Sequence, residues 1–302
     1  MNRLQANLCL LCVTLCWSAE VVLYSCLPAG MPAFATTAVT SLAGAALLVL
    51  PFRRRIAAAL REGRAWLVLS GLGLAALSAA YNTIFLFGVK SLDVASGAFT
   101  FTMTVVVLPV VLLTMHRRVA VGTWLSGGLV LAGIVLALGS TLGAEDAPAL
   151  GVLGVGCLLR AVHIVLLADV AKKYDPLVVG FLLEGFAGVI AFAGWIVEDP
   201  RLFAGFELTR TVVAAWAIYA YFIVAFATTL NVLAIRRVGP ANATVIYALE
   251  IVFSLAWGAL LPAGIVERIA MTPRIALGAV LVVAGSLAEI LDVGRDRKEE
   301  AA

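Results

Sequence analysis

The stretch LCVTLCWSAEVVLYS, Leu11–Ser25, sets one carboxylate, Glu20, inside an almost wholly apolar run. An ionised carboxylate in hydrocarbon is costly, so Glu20 needs a partner or a place that lipid does not reach. Runs of this kind recur along all 302 residues, of which 63% are hydrophobic and only 13% charged. A soluble domain carries about 25% charged residues, so this chain cannot cover itself with water-compatible side chains. An apolar helix of about 20 residues crosses a hydrocarbon core of about 30 Å. In lipid such a run must be helical, because every backbone polar group has to be paired within it. The reading is an all-α polytopic membrane protein.

Ten spans are expected, at 4–25, 33–51, 65–88, 94–115, 121–141, 149–170, 176–197, 210–234, 240–262 and 273–292. Turn residues and charges separate them, as in LPAGMP (27–32), PFRRRI (51–56), GAEDAP (143–148), KKYDP (172–176) and RRVGP (236–240). The first run carries Trp17 and Glu20, lacks a small-x-small cleavage site, and is expected to stay as a span rather than be cleaved. With the amino terminus inside, 15 Lys and Arg fall in inner segments and 5 in outer ones, leaving Arg160 within a span. The positive-inside rule then puts both termini in the cytoplasm. Cys9, Cys12 and Cys16 share one helix face, where a small apolar packing surface is the reading preferred over a metal site.

The two halves resemble each other. VKSLDVASGAFTF (89–101) parallels IRRVGPANATVIY (235–247), SGGLVLAGIVL (126–136) parallels GAVLVVAGSLA (278–288), and WSAEVV (17–22) parallels RAVHIV (160–165). The shared offset suggests a five-span repeat over 1–142 and a second over 143–294, with a cytoplasmic tail at 295–302. An odd number of spans inverts the second repeat, a plan that in secondary transporters brings the substrate site to the midplane.

Three features are similar to the drug/metabolite transporter superfamily in its ten-helix EamA branch. CWSAE in the first span resembles the family's Trp-Gly-x-Asn/Glu pattern, with Ser18 in place of Gly. YALEIVFSLAWGALL (247–261) resembles the family's Glu-Pro helix, with Glu250 present and Ile251 in place of Pro. ERIAMTPRIALGAVLVVAGSLAEI (267–290) resembles the family's closing helix, with Gly278 and Gly285. Within the superfamily the chain looks most like YddG-type aromatic amino-acid exporters. The resemblance implies a basket of helices around a central cavity that opens alternately to the two sides. It implies an exporter of small metabolites in a bacterial-type inner membrane, with amino acids of aromatic or apolar side chain the expected cargo and a drug or other metabolite the alternative.

Ionisable residues within spans are functional candidates in their own right: Glu20, Arg160, His163, Glu184 and Glu250, with the amides Asn82 and Asn231 weaker ones. At about 1.5 Å rise per residue, Glu20 and His163 flank the midplane from opposite sides and should not touch. Arg160 either pairs with Glu184 or receives a substrate carboxylate, for which its planar fork is suited. Glu20 is either a cavity group or a structural carboxylate. His163 is either a proton carrier or a neutral imidazole bonded to a neighbour, and Glu250 either supports packing or lines the cavity. Trp17, Tyr81, Phe85, Phe99, Phe101 and Tyr247 are candidate aromatic walls. Together with Glu20, Asn82, Arg160, His163 and Glu250 they form the expected substrate site, suited to a zwitterion with a flat apolar side chain.

Gly127, Gly128, Gly133, Gly278 and Gly285 are expected to let helices approach closely. No phosphate-binding loop, nucleophile elbow or zinc motif is present, so direct ATP drive and enzymatic catalysis are not expected. No cofactor or metal is expected. The partners are a small molecule and the bilayer, with no nucleic acid, and ten spans suffice to enclose a cavity in a monomer.

Overall fold

The computed structural model describes residues 1–28, 30–91, 102–138, 146–261 and 272–292, and among these no strand occurs. Helix α1 (Arg3–Ser18) opens with a capping box, Asn2 accepting from the Gln5 amide and Gln5 accepting from that of Asn2. A single turn residue, Ala19, interrupts the helix, which continues as α2 (Glu20–Ser25). Then come α3 (Ala33–Ser91), α4 (Thr104–Thr114), α5 (Val121–Leu138), α6 (Ala147–Lys173) and α7 (Pro176–Glu198). Next, α8 (Arg210–Ile218) runs through a ten-residue π-helix, Tyr219–Thr228, into α9 (Thr229–Val238). The last elements are α10 (Pro240–Tyr247), α11 (Leu249–Leu260) and α12 (Pro273–Asp292).

Local chemistry explains several boundaries. Asp175 caps α7 by accepting from the Leu177 amide at 3.0 Å, and Pro176 takes the first position, where no amide is needed. Between α9 and α10, Gly239 adopts φ 87°, a conformation a side chain would strain, and Pro240 restarts the helix.

Among the described residues eight helical stretches are long and apolar enough to cross a membrane: Arg3–Ser25, Phe34–Glu62, Ala65–Phe85, Ala147–Lys173, Pro176–Glu198, Arg210–Val238, Pro240–Leu260 and Pro273–Ile290. Thr104–Thr114 and Val121–Ala137 are shorter apolar helices. Leu8, Leu50, Trp66, Leu125 and Val197 are more than half exposed, an outward surface suited to lipid rather than water.

The expected break at PFRRRI does not occur. The backbone is helical from Ala33 to Ser91 with Pro51 inside, so the second span runs on to Glu62. Residues 34–55 nevertheless run antiparallel to α7: Phe34 packs at Gly194, Leu42 at Gly188, and Arg55 pairs with Asp175 at 2.6 Å. Gly71 packs back against Leu182. A straight helix would carry residue 71 about 24 Å beyond residue 55 at 1.5 Å per residue, so this helix doubles back between them. The arginines therefore lie on a helical turn rather than in a coil.

α5 and α12 cross antiparallel at Gly133, Gly278 and Gly285, where backbones meet too closely for any side chain. Gly127 and Gly128 do not share this role: a Cβ on Gly127 would find only ordinary contact and one on Gly128 open space. The main buried cluster joins α6, α7 and α9 through Leu167, Val178 and Ile235. It forms one side of a central cavity.

Candidate binding cavity

The cavity encloses about 550 Å³ and draws its walls from α1–α3, α6, α7, the π-helix and α9–α11. Two helix interruptions shape it. Ala19 separates α1 from α2 and Ala248 separates α10 from α11, so Glu20 and Glu250 each stand in the first turn of a new helical segment. The ninth span thus breaks without the proline of the family pattern, one turn before Ile251.

Trp17, Glu20, Tyr81, Asn82, Phe85, Arg160, His163, Tyr247 and Glu250 all line this one cavity. Phe99 and Phe101 lie outside the described residues. The Trp17 and Tyr247 rings are 5.2 Å apart and tilted by 54°. The Tyr247 hydroxyl donates to Asn231 Oδ1, which fixes the ring. Asn82 donates to the Ser78 hydroxyl, which faces the Tyr81 hydroxyl, both at 3.4 Å.

Arg160 Nη2 lies 3.5 Å from Glu250 Oε2. This replaces the Arg160–Glu184 pair weighed from sequence: Glu250 stands beside the guanidinium, and Glu184 is bonded to Ser41 and Thr228 instead. At 3.5 Å the contact is long for a charge-assisted bond, and both side chains keep some exposure, 13% and 28%. Glu250 therefore supports Arg160 and lines the cavity at once.

Glu184 is held elsewhere. The hydroxyls of Ser41 on α3 and Thr228 on the π-helix donate to its two oxygens, each at 2.9 Å. His163 is 4% exposed and its ring lies 5.3 Å from that of Tyr81. Among the described residues neither ring nitrogen has a hydrogen-bond partner.

At the other end Glu20 meets the Tyr219 hydroxyl. That hydroxyl lies 3.4 Å from the Tyr24 hydroxyl. Glu20 also feels the charges of Glu250 and Arg160. This acidic, phenol-lined pole was missed in part: Tyr24 follows Glu20 by four residues, one helical turn, and that spacing could have flagged it. Tyr219 carried no comparable signal.

Other polar contacts bind the scaffold. Trp257 Nε1 donates to Ser18 Oγ at 2.9 Å, joining α1 to α11. Thr123 donates to buried Glu289 at 2.9 Å between α5 and α12. Arg117 grips Asp169 with two bonds, at 3.0 and 2.5 Å. Glu289 was passed over in sequence although it sits within an apolar run. Outside the spans, the Arg201 guanidinium holds the exposed Asp199 carboxyl below its ordinary pKa. Among the described residues no three His, Cys, Asp or Glu side chains converge to hold a metal.

The comparisons with known proteins fit a polytopic helical membrane protein. Residues 4–139 match the model of the EamA-like transporter family. No curated protein matches the chain. Among solved structures 29 chains match. One of them, described only as "Crystal structure of protein", superposes with a TM-score of 0.70 at 19% identity, over 96% of this chain and 99% of its own. At that identity the likeness speaks for the fold.

Proposed function

We propose that the chain is a secondary transporter of the drug/metabolite transporter superfamily, exporting amino acids with aromatic or apolar side chains across an inner membrane by alternating access. The observation that carries this reading is the cavity, in which an acidic group, an arginine and tilted aromatic rings surround a space of about 550 Å³. Small-ligand sites are typically about 300–1,000 Å³. In this reading the cargo ammonium meets Glu20 between Tyr24 and Tyr219. The carboxylate takes the Arg160 fork, displacing the long contact to Glu250. The flat side chain lies on Trp17 and Tyr247, with Tyr81, Asn82, Phe85 and His163 closing the opposite wall. Phe99 and Phe101 keep their expected roles from sequence.

Ten crossings, counting the two shorter apolar helices, divide into repeats at 1–142 and 143–294. The pairing of the second span with α7 and of α5 with α12 supports this, since each pair joins repeat-equivalent helices. Both termini are cytoplasmic by the distribution of Lys and Arg, and one chain encloses the site, so the unit is a monomer.

A second reading, an exporter of organic cations, draws on the charge balance. Three carboxylates face the cavity with a single arginine, which already has Glu250 beside it. Uptake of labelled phenylalanine, tryptophan and a cationic dye into proteoliposomes separates the two. Saturable amino-acid flux supports the first reading. Dye flux without it selects the second, and no flux of any of them by folded protein rejects both.

A further inference from the structure

We propose, resting on the transporter reading above, that Glu184 is a proton-carrying site distinct from the cargo-contacting groups, and that the π-helix Tyr219–Thr228 couples it to the cargo at Glu20. Glu184 is nine-tenths buried and borders the cavity. Among the described residues no Lys, Arg or His pairs with it, and the cavity's arginine stands beside Glu250. A carboxylate so deep in a membrane protein needs a neutralising partner. Its surroundings supply none but a proton.

The chemistry of its two neighbours fits that role. Ser and Thr hydroxyls donate or accept by rotating one hydrogen. To the carboxylate, both donate. To the carboxylic acid, one turns and accepts the acid's O–H while the other continues to donate. The site holds either state with no movement of heavy atoms. A proton entering from the cavity forms one O–H bond on Glu184 and nothing else changes. A sodium ion would need a fuller oxygen cage. Among the described residues the hydrogen bonds to Glu184 come from two hydroxyls, while the Thr40 hydroxyl, also on the cavity wall, donates to the Thr36 carbonyl and that of Thr36 accepts from Trp216.

The π-helix supplies the link. π-helices are rare and concentrate at functional sites. This one holds the two carboxylates at its two ends: its first residue, Tyr219, meets Glu20, and its last, Thr228, bonds Glu184. A shift of the segment toward α-helical register moves both contacts together. Protonation and cargo then bias one element, which is the physical requirement for coupling. The other titratable groups around Glu184 are Tyr81 on α3 and Tyr219 on the π-helix, with Glu20, Tyr24, Arg160, His163, Tyr247 and Glu250 on the remaining cavity walls. Arg55 of α3 lies beyond the start of α7, paired with the capping Asp175 at 2.6 Å.

The test uses the full chain. In proteoliposomes the unmodified protein should accumulate labelled phenylalanine when a pH gradient is imposed. Glu184→Gln should keep exchange of labelled for unlabelled phenylalanine and lose the response to the gradient. Infrared difference spectra across a pH titration provide a readout that needs no cargo: a protonated-carboxyl band should vanish in Glu184→Gln and shift in Ser41→Ala. Gradient-driven accumulation surviving in Glu184→Gln, or no gradient response in an unmodified protein that does exchange phenylalanine, overturns the proposal. If the unmodified protein moves no phenylalanine, the cargo reading fails, and the infrared band alone decides: its loss in Glu184→Gln sustains the proton site and its persistence removes it.

Discussion

A Cβ added at Gly278 would lie 2.6 Å from the Gly133 carbonyl oxygen and 3.0 Å from the Ala137 Cβ. The atom it meets first is backbone of the facing helix, which no rotamer change can move aside. Ordinary carbon–oxygen contact needs roughly 0.7 Å more, so Gly278→Ala must push α12 away from α5. Overpacking of this kind costs about 1–3 kcal/mol, against the roughly 1 kcal/mol that alanine gains over glycine in helix propensity. The expected net loss is about 0–2 kcal/mol, or about 1–3 kcal/mol relative to the propensity gain alone. Gly128→Ala is the matched control, since its Cβ meets open space, and propensity alone predicts neutrality or a gain of up to about 1 kcal/mol. Denaturant unfolding of the purified protein in mixed micelles, followed by tryptophan fluorescence, reads both. If Gly278→Ala is as stable as Gly128→Ala, the two helices do not cross at these glycines and the packing described is wrong.

Three further outcomes follow from single contacts. Ser18→Ala leaves the Trp257 indole N–H without its acceptor and should lower unfolding stability by about 1–2 kcal/mol, while adding Trp257→Phe should recover part of that loss. The half-exposed Arg117–Asp169 pair should show a coupling of no more than about 1 kcal/mol in a double-mutant cycle of alanine substitutions. His163→Phe removes two buried nitrogens that have no partner among the described residues and keeps a ring against Tyr81, so unfolding stability should hold or rise by about 1 kcal/mol while phenylalanine flux falls. Unchanged flux would take His163 out of the proposed site.

Hydropathy alone located most of the helices, because lipid makes one demand on every span. It erred at PFRRRI, where charge and Pro51 suggested a break and the backbone stayed helical around a reversal. The cavity residues were legible for the same reason that the spans were: Glu20, Arg160, His163 and Glu250 stood out against an apolar background. Their partners were not legible. Depth along a helix follows from residue count, but rotation about its axis depends on packing, so the sequence offered Glu184 as the mate for Arg160 and gave no sign that Glu250 stands beside it. The interruptions at Ala19 and Ala248 carry no compositional mark. Ser41, Thr228 and the π-helix were silent too, since hydroxyl residues are ordinary within spans and a π-helix inserts no distinctive residue.

The most direct test of the proposed site is equilibrium binding of labelled phenylalanine to the purified protein and to Glu20→Gln, Arg160→Ala and the surface control Arg117→Ala. Loss of one charged hydrogen bond costs about 1.5–3 kcal/mol, or roughly 10- to 150-fold in affinity. Weakening of that size in Glu20→Gln and Arg160→Ala, with Arg117→Ala unaffected, is the predicted result. Phenylalanine bound equally well by all four proteins would place the cargo outside this cavity and contradict the account.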